Sequence, residues 1–234
     1  MKNPNLNNVA KEVRKKIIEM SYTTKSHHIG SALSCVEILV VLYFKILKLN
    51  PKTINNINKN WMILSKGHGA LALYIILFKI GFFKETLLKK EFLTNGGKLG
   101  VHPEKGSMPG IEISSGSLGH GLSIANGIAI SKKRDGIKGN VYVLISDGEC
   151  NEGMVWEAML FAGHQKLHNL FVVIDYNKLQ GFGRTTDILN LSSLKKKIQS
   201  FNWNVLEADG HNIGNIIKQA KKMISLANKP NLII

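Results

Sequence analysis

The 234-residue sequence predicts an α/β fold, a mainly parallel sheet flanked by helices on both faces. Three observations predict it. Val141–Ser146 and Leu170–Tyr176 are continuous apolar runs of strand length without polar alternation, as strands covered on both sides require. The segment joining them, Gly153–Lys166, has the length of a helix, and strands connected through a helix run parallel. Leu122–Ser131 reads as a helix of small residues able to pack closely on such a sheet.

The remaining elements follow in chain order. After a polar opening, Met1–Asn8, in which disorder is expected, Val9, Val13, Ile17 and Met20 recur every three or four residues. That spacing predicts an amphipathic helix ending near Thr23–Thr24. A polar stretch, Lys25–Ser31, carries His27, His28 and Gly30 into an apolar helix at about Leu33–Leu47, which Asn50-Pro51 closes. Trp61–Leu64 reads as a short strand running through Ser65–Ala70 into another helix. The glycine-rich region from Thr94 to Gly121 surrounds His102 and Ser114–Gly119, and so much irregular chain within a domain points to function. Beyond a loop at Asn177–Thr186 come a helix near Ser193–Ser200, a strand near Trp203–Glu207 and a helix near Ile213–Ala227. Asn231–Ile234 begins a further strand, so residues 1–234 are expected to form a single domain.

Composition narrows the function classes. Hydrophobic residues make up 44% and charged residues 20%, the balance of a globular protein. The longest apolar runs, Val36–Phe44 and Leu71–Phe83, are too short to cross a bilayer and contain Glu37 and Lys79, so no membrane partner is expected. The first ten residues lack the apolar core of a secretion signal. Cys35 and Cys150 are too few for a disulfide framework and lack zinc-site spacing, which fits the reducing cytoplasm. The net charge of +15 is scattered, with Lys195–Lys197 its one dense cluster, and the 7% of aromatic residues do not interleave with it. Phosphorylated small molecules suit that charge better than nucleic acid.

The central chemical signal is Ser146-Asp147-Gly148 with Asn177 thirty residues on. Asp147 ends one predicted strand and Asn177 the next. Adjacent parallel strands lie about 4.8 Å apart, and a right-handed crossover puts both carboxyl ends at one edge. The two side-chain oxygens can then share one cation. Magnesium takes oxygen ligands at about 2.0–2.1 Å, few from protein and several from phosphate or water. Gly148 leaves room for a phosphate beside the backbone. An Asp-Gly turn alone is commonplace; the spacing, two strong strands and the intervening helix give it weight.

These residues resemble the thiamine diphosphate fingerprint, and the words around them resemble transketolase. Ser146–Ala158 (SDGECNEGMVWEA) is similar to the family's GDG…EG…EA stretch, and Ile174–Arg184 (IDYNKLQGFGR) to the metal loop that follows. LSKGHGALALY, GVHPEKGSMPG and SSGSLGHGLSIANGIA resemble successive earlier segments, so the likeness runs from about residue 8 to the end. It implies a thiamine diphosphate-binding fold and transfer of a two-carbon ketol unit between sugars or sugar phosphates. It implies that Asp147 and Asn177 ligate Mg2+ (or Ca2+ or Mn2+) through side chains and Leu179 through its carbonyl. Gly148 and Asn177 would touch the diphosphate, and His68 would approach the phosphate and the reacting region. Gly116, Ser117 and Leu118 match the segment whose backbone holds the aminopyrimidine. His28, His102 and His211 match histidines of the substrate channel, and Glu152 a carboxylate that couples paired sites across a dimer.

Imidazole also suits proton movement at carbinol oxygens near neutral pH. His164 and His168 fall outside the motifs and are expected to be structural, and Cys150 to be a packing residue.

Three departures from the family stand out. Ser146 replaces its first glycine, and Ser117 a proline. The pyrimidine-binding half, with its activating glutamate, has no counterpart in the 234 residues. Some members carry that half on a separate C-terminal subunit, so the resemblance implies a two-chain enzyme, a dimer of heterodimers. Even for that form the chain is slightly short, and a truncated carboxyl end stays open. Two alternatives stay open as well: the alpha chain of a 2-oxo acid dehydrogenase, and a non-catalytic subunit that kept the fold. His28, His102 with Pro103-Glu104, and Asp209-Gly210-His211 favour transketolase.

Overall fold

The computed structural model describes residues 4–226 and 228–234. Met1–Asn3 of the polar opening, and Ala227 at the end of the last predicted helix, lie outside the described residues.

The first helix, α1 (Leu6–Thr24), starts inside the opening expected to be disordered, because the Asn5 side chain accepts from the backbone N–H groups of Asn7 and Asn8. It buries Leu6, Ala10, Val13, Ile17 and Met20 along one face. Lys25 and His28, both left-handed (φ 55° and 66°), turn the chain into α2 (Ile29–Ser34). A break at Cys35 separates it from α3 (Val36–Val41), which widens into a π-type turn at Leu42–Ile46. The single helix expected at Leu33–Leu47 is thus two helices and a turn. Every residue of α3 is buried, so the sequence there carries no periodicity that could mark a break.

Next come β1 (Trp61–Leu64), a tight turn at Gly67–Gly69, α4 (Ala70–Lys79) and α5 (Glu85–Glu91). Residues 93–119 contain no helix or strand, as their glycines suggest. The second half comprises α6 (His120–Arg134), β2 (Val141–Ser146), α7 (Gly153–His164) and β3 (Leu170–Asp175). A small hairpin of β4 (Leu179–Gln180) and β5 (Gly183–Arg184) precedes α8 (Thr185–Ile188) and α9 (Leu194–Ser200). Finally β6 (Asn204–Leu206), α10 (Ile213–Ile224) and β7 (Asn231–Ile233) complete the described chain.

The main sheet has the order β1-β2-β3-β7-β6, all pairs parallel. Successive strand residues point to opposite faces. Tyr142, Leu144, Phe171 and Val173 join the core packed under α1, α3, α4 and α10. Val141, Val143, Ile145, Leu170 and Val172 join the core under α6, α7 and α9. Both faces are covered, and for that reason the strands read as unbroken apolar runs. Among the described residues no helix is long and apolar enough to cross a membrane.

Candidate functional site

The register Ser146↔Asp175 aligns the carboxyl ends of β2 and β3, and β1 ends beside them. Asp147 is fully buried one residue past β2. Its Oδ1 accepts from the Gly148 N–H (2.9 Å), and its Oδ2 from the Lys178 N–H (2.8 Å) and the Thr185 hydroxyl (3.0 Å). None of these donors is a charged group. Burial therefore pushes the carboxyl above the ordinary aspartate range, against the pull of the Thr185, Gly148 and Lys178 hydrogen bonds. A cation beside it would favour the ionised form.

Asn177 lies two residues past β3. Its Oδ1 accepts from the Leu179 N–H (2.9 Å), and its Nδ2 donates to Ser34 Oγ (3.1 Å). Asn177, Leu179, Gly148, Leu118, His28 and His68 line one cavity of about 520 Å³. Two buried polar atoms on its wall, Ser31 Oγ and Gln180 Nε2, have no hydrogen-bond partner within the protein. Buried polar atoms left without a partner on residues that line a cavity fit a polar surrounding. Among the described residues no three His, Cys, Asp or Glu side chains gather as a metal cluster. The oxygens that could serve a hard cation here are the Asn177 amide and the Leu179 carbonyl, on residues of the cavity wall, and the Asp147 carboxylate, which is buried and not part of that wall. Phosphate and water would complete the set. Such a set suits Mg2+ bound together with a diphosphate.

Three of the predicted histidines come together. His28 lies 5.6 Å from His68 and 5.7 Å from His102, ring centre to ring centre. His211 does not join them: it is exposed, on an adjoining cavity that shares Ser34 and Asn177 with the first. Burial, then the charge of Lys66, hold His68 down to about 4, and burial with His102 lowers His28 as well. Both imidazoles are neutral at pH 7. The fold favours that neutral form, so the stability it lends is present above the unfolded pKa of about 6.5 and is lost as pH falls from there towards 4. We expect the thermal midpoint of His68→Gln to fall less steeply than that of the native protein across this window. Parallel curves would remove the assignment.

The glycine loop sits where Gly116 presses on two neighbours. A Cβ on Gly67 would stand 2.6 Å from the Gly116 nitrogen, and one on Gly116 (φ 140°) 2.9 Å from the His102 ring. Of the predicted Gly116–Leu118 segment only Leu118 reaches the cavity wall. Glu152 is exposed at the start of α7 and lies outside that wall.

Two features escaped the sequence reading. Glu149 is wholly buried and accepts from Ser65 Oγ, from the Gly119 N–H (2.9 Å) and from the Ser146 N–H (3.3 Å), tying the start of α6 to two strand ends. Lys66 and Asp175, 0% and 5% exposed, form an ion pair of 2.5 Å at the back of the cavity. The signal for both members was present, since Lys66 is a charged residue two positions past an apolar strand and Asp175 one at the end of another.

Residues 6–234 match the family described as "Transketolase, thiamine diphosphate binding domain". The chain is 41% identical over 226 residues to a protein of Actinobacillus succinogenes named as one subunit of an apulose-4-phosphate transketolase, covering 96% of this chain and 81% of that one. It is 36% identical to the 6-deoxy-6-sulfo-D-fructose transketolase subunit SqwG of a Clostridium species, covering 98% and 83%. Among solved structures, transketolase from Leishmania mexicana superposes with a TM-score of 0.91 at 26% identity. That from Campylobacter jejuni superposes at 0.90 and 30%. The match takes in 98% of this chain but only 36% and 37% of those longer ones. With the family's domain matched over almost its whole length, on the same fold, the chain belongs to the transketolase family and is its thiamine diphosphate-binding domain.

Proposed function

We propose that the chain, as a single diphosphate-binding domain, is the N-terminal subunit of a two-chain, Mg2+-dependent transketolase that moves a two-carbon ketol unit between sugars or sugar phosphates. The observation that carries this reading is the convergence of Asp147, Gly148 and Asn177 at two neighbouring strand ends, with His28 and His68 on the wall of the cavity that Gly148 and Asn177 line and His102 packed against His28. Asp147, Asn177 and the Leu179 carbonyl would hold the cation. Gly148 and Asn177 would face the diphosphate, the backbone of Gly116, Ser117 and Leu118 the aminopyrimidine, and His211 the substrate channel beside the cofactor. Thiamine diphosphate supplies the carbanion chemistry when bound.

The chain's own part is positioning and proton handling. A neutral imidazole offers one N–H donor and one lone pair. His28 and His68 can thus accept a proton from a sugar hydroxyl on one side while donating on the other, and His102 would extend the series from His28. Glu152 would meet its counterpart across a dimer of heterodimers. The activating glutamate would come from the C-terminal partner subunit, and the naming of both relatives as single subunits of a transketolase supports such a division. Both of those relatives are named for sugars bearing a phosphate or sulfo group, which suits the net charge of +15. The buried free thiols of Cys35 and Cys150 suit a cytoplasmic protein. The 2-oxo acid dehydrogenase reading has less support, because the named relatives are transketolases.

The test is to assay the purified chain with thiamine diphosphate, Mg2+ and a ketose phosphate, with and without its partner. Ketol transfer should require both chains. Turnover by this chain alone would overturn the two-chain reading.

A further inference from the structure

Asparagine is ambiguous as a metal ligand. Its amide oxygen and its NH2 group have nearly the same shape, yet only the oxygen can bind a cation. Something must decide which of them Asn177 turns towards the cavity.

The hydrogen bonds behind Asn177 have a direction. Lys66 Nζ donates to Asp175 Oδ2 (2.5 Å) and to the Ser31 carbonyl (3.2 Å). An ammonium only donates, and the carboxylate facing it only accepts. The second oxygen of Asp175 therefore takes the hydroxyl proton of Ser34, over 2.7 Å. With its one proton committed, Ser34 Oγ can only accept from its other neighbour, which is Asn177 Nδ2 at 3.1 Å. The NH2 group is thereby drawn to Ser34 and Oδ1 is turned the other way. There it takes the Leu179 N–H and keeps a second lone pair. Asp175 also accepts the Asp147 N–H through its backbone carbonyl (3.2 Å), so one residue braces both strand ends.

We propose that Lys66, Asp175 and Ser34 are positioning residues, a one-way hydrogen-bond relay that presents the oxygen of Asn177 to the cation before it arrives. The inference rests on the cation role proposed above for Asn177. Without the Ser34 hydroxyl, only the Leu179 N–H distinguishes the two ends of Asn177, and the amide is held less firmly with its oxygen towards the ion. Partners of this kind behind a metal ligand are typically worth about 10–100-fold in metal affinity.

The experiment measures Mn2+ binding, by the loss of the free-ion paramagnetic resonance signal, to the chain assembled with its partner and saturated with thiamine diphosphate. Native protein, Ser34→Ala and Ser34→Thr are compared, with thermal midpoints recorded for each. We expect Ser34→Ala to bind Mn2+ about 10–100-fold more weakly. Its apparent Mn2+ constant in the ketol-transfer assay should rise by the same factor, and Ser34→Thr, which keeps the hydroxyl, should recover most of the loss. A packing role alone predicts no such recovery, because threonine adds a methyl group. Equal Mn2+ binding by the native and Ser34→Ala proteins overturns the relay alone, as does Ser34→Thr binding no better than Ser34→Ala. A native complex that holds no Mn2+ overturns the cation site itself and the relay with it.

Discussion

Asp147→Asn should reduce both Mn2+ binding and ketol transfer by the two-chain enzyme by about a thousandfold or more. The substitution keeps the size and much of the hydrogen bonding, because the amide oxygen can still accept from the Lys178 N–H and the Thr185 hydroxyl. What disappears is the negative charge. A unit charge pair at about 4 Å in an effective dielectric of about 20 is worth about 4 kcal/mol, and each ~1.4 kcal/mol is a factor of ten. Folding should suffer by only about 1 kcal/mol, the scale of one neutral hydrogen bond. Titrating native and variant proteins with Mn2+ in the presence of thiamine diphosphate checks the first figure, and denaturant unfolding the second. A variant that holds the ion within tenfold of the native protein would leave the carboxylate without its proposed role.

Lys66→Met should cost about 3–5 kcal/mol of folding stability, the range found when one member of a buried pair is removed. Burial works against the ammonium, but Cys35 and Asp175 together more than offset it and hold the amine above the ordinary lysine range. Of these two Asp175 matters more at neutral pH, since burial pushes the Cys35 thiol up to about 11 and leaves it uncharged there. Methionine fills much of the same volume and leaves the Asp175 carboxylate facing no cation. Lys66→Met/Asp175→Asn removes both charges at once and should recover a good part of the loss. Urea unfolding of the three proteins reads this directly. A single variant within about 1 kcal/mol of native would mean that water or a neighbouring group already neutralises Asp175.

How far the sequence could be read depended on where each residue's partners lie along the chain. The limits of β2 were visible to the residue and those of β3 to within one, because strands sealed on both faces give apolar runs that end where the sheet ends. The nearness of the turns that carry Asp147 and Asn177 was visible, because residues that follow two neighbouring parallel strands need nothing beyond those strands and their crossover to be brought together. α5 went unseen: it buries Leu88 alone, and one apolar position makes no period. The hidden break at Cys35 has the opposite cause, too many buried positions rather than too few. Lys66 and Asp175 are 109 residues apart, and their meeting depends on β1 and β3 flanking β2, a placement that no local pattern records. His211 was grouped with the other histidines by motif alone. Its loop follows β6, two strands across the sheet from β3, and that distance puts it on the adjoining cavity.

The contact between Gly67 and Gly116 bears on efforts to redesign what the enzyme accepts. Neither position leaves room for a methyl group, so a library that randomises this pair would consist mostly of dead clones. Phe182 offers better ground: it is 93% exposed at the tip of the β4–β5 hairpin and still borders the entrance. Diversity placed there can change what enters while the two crossing backbones stay untouched.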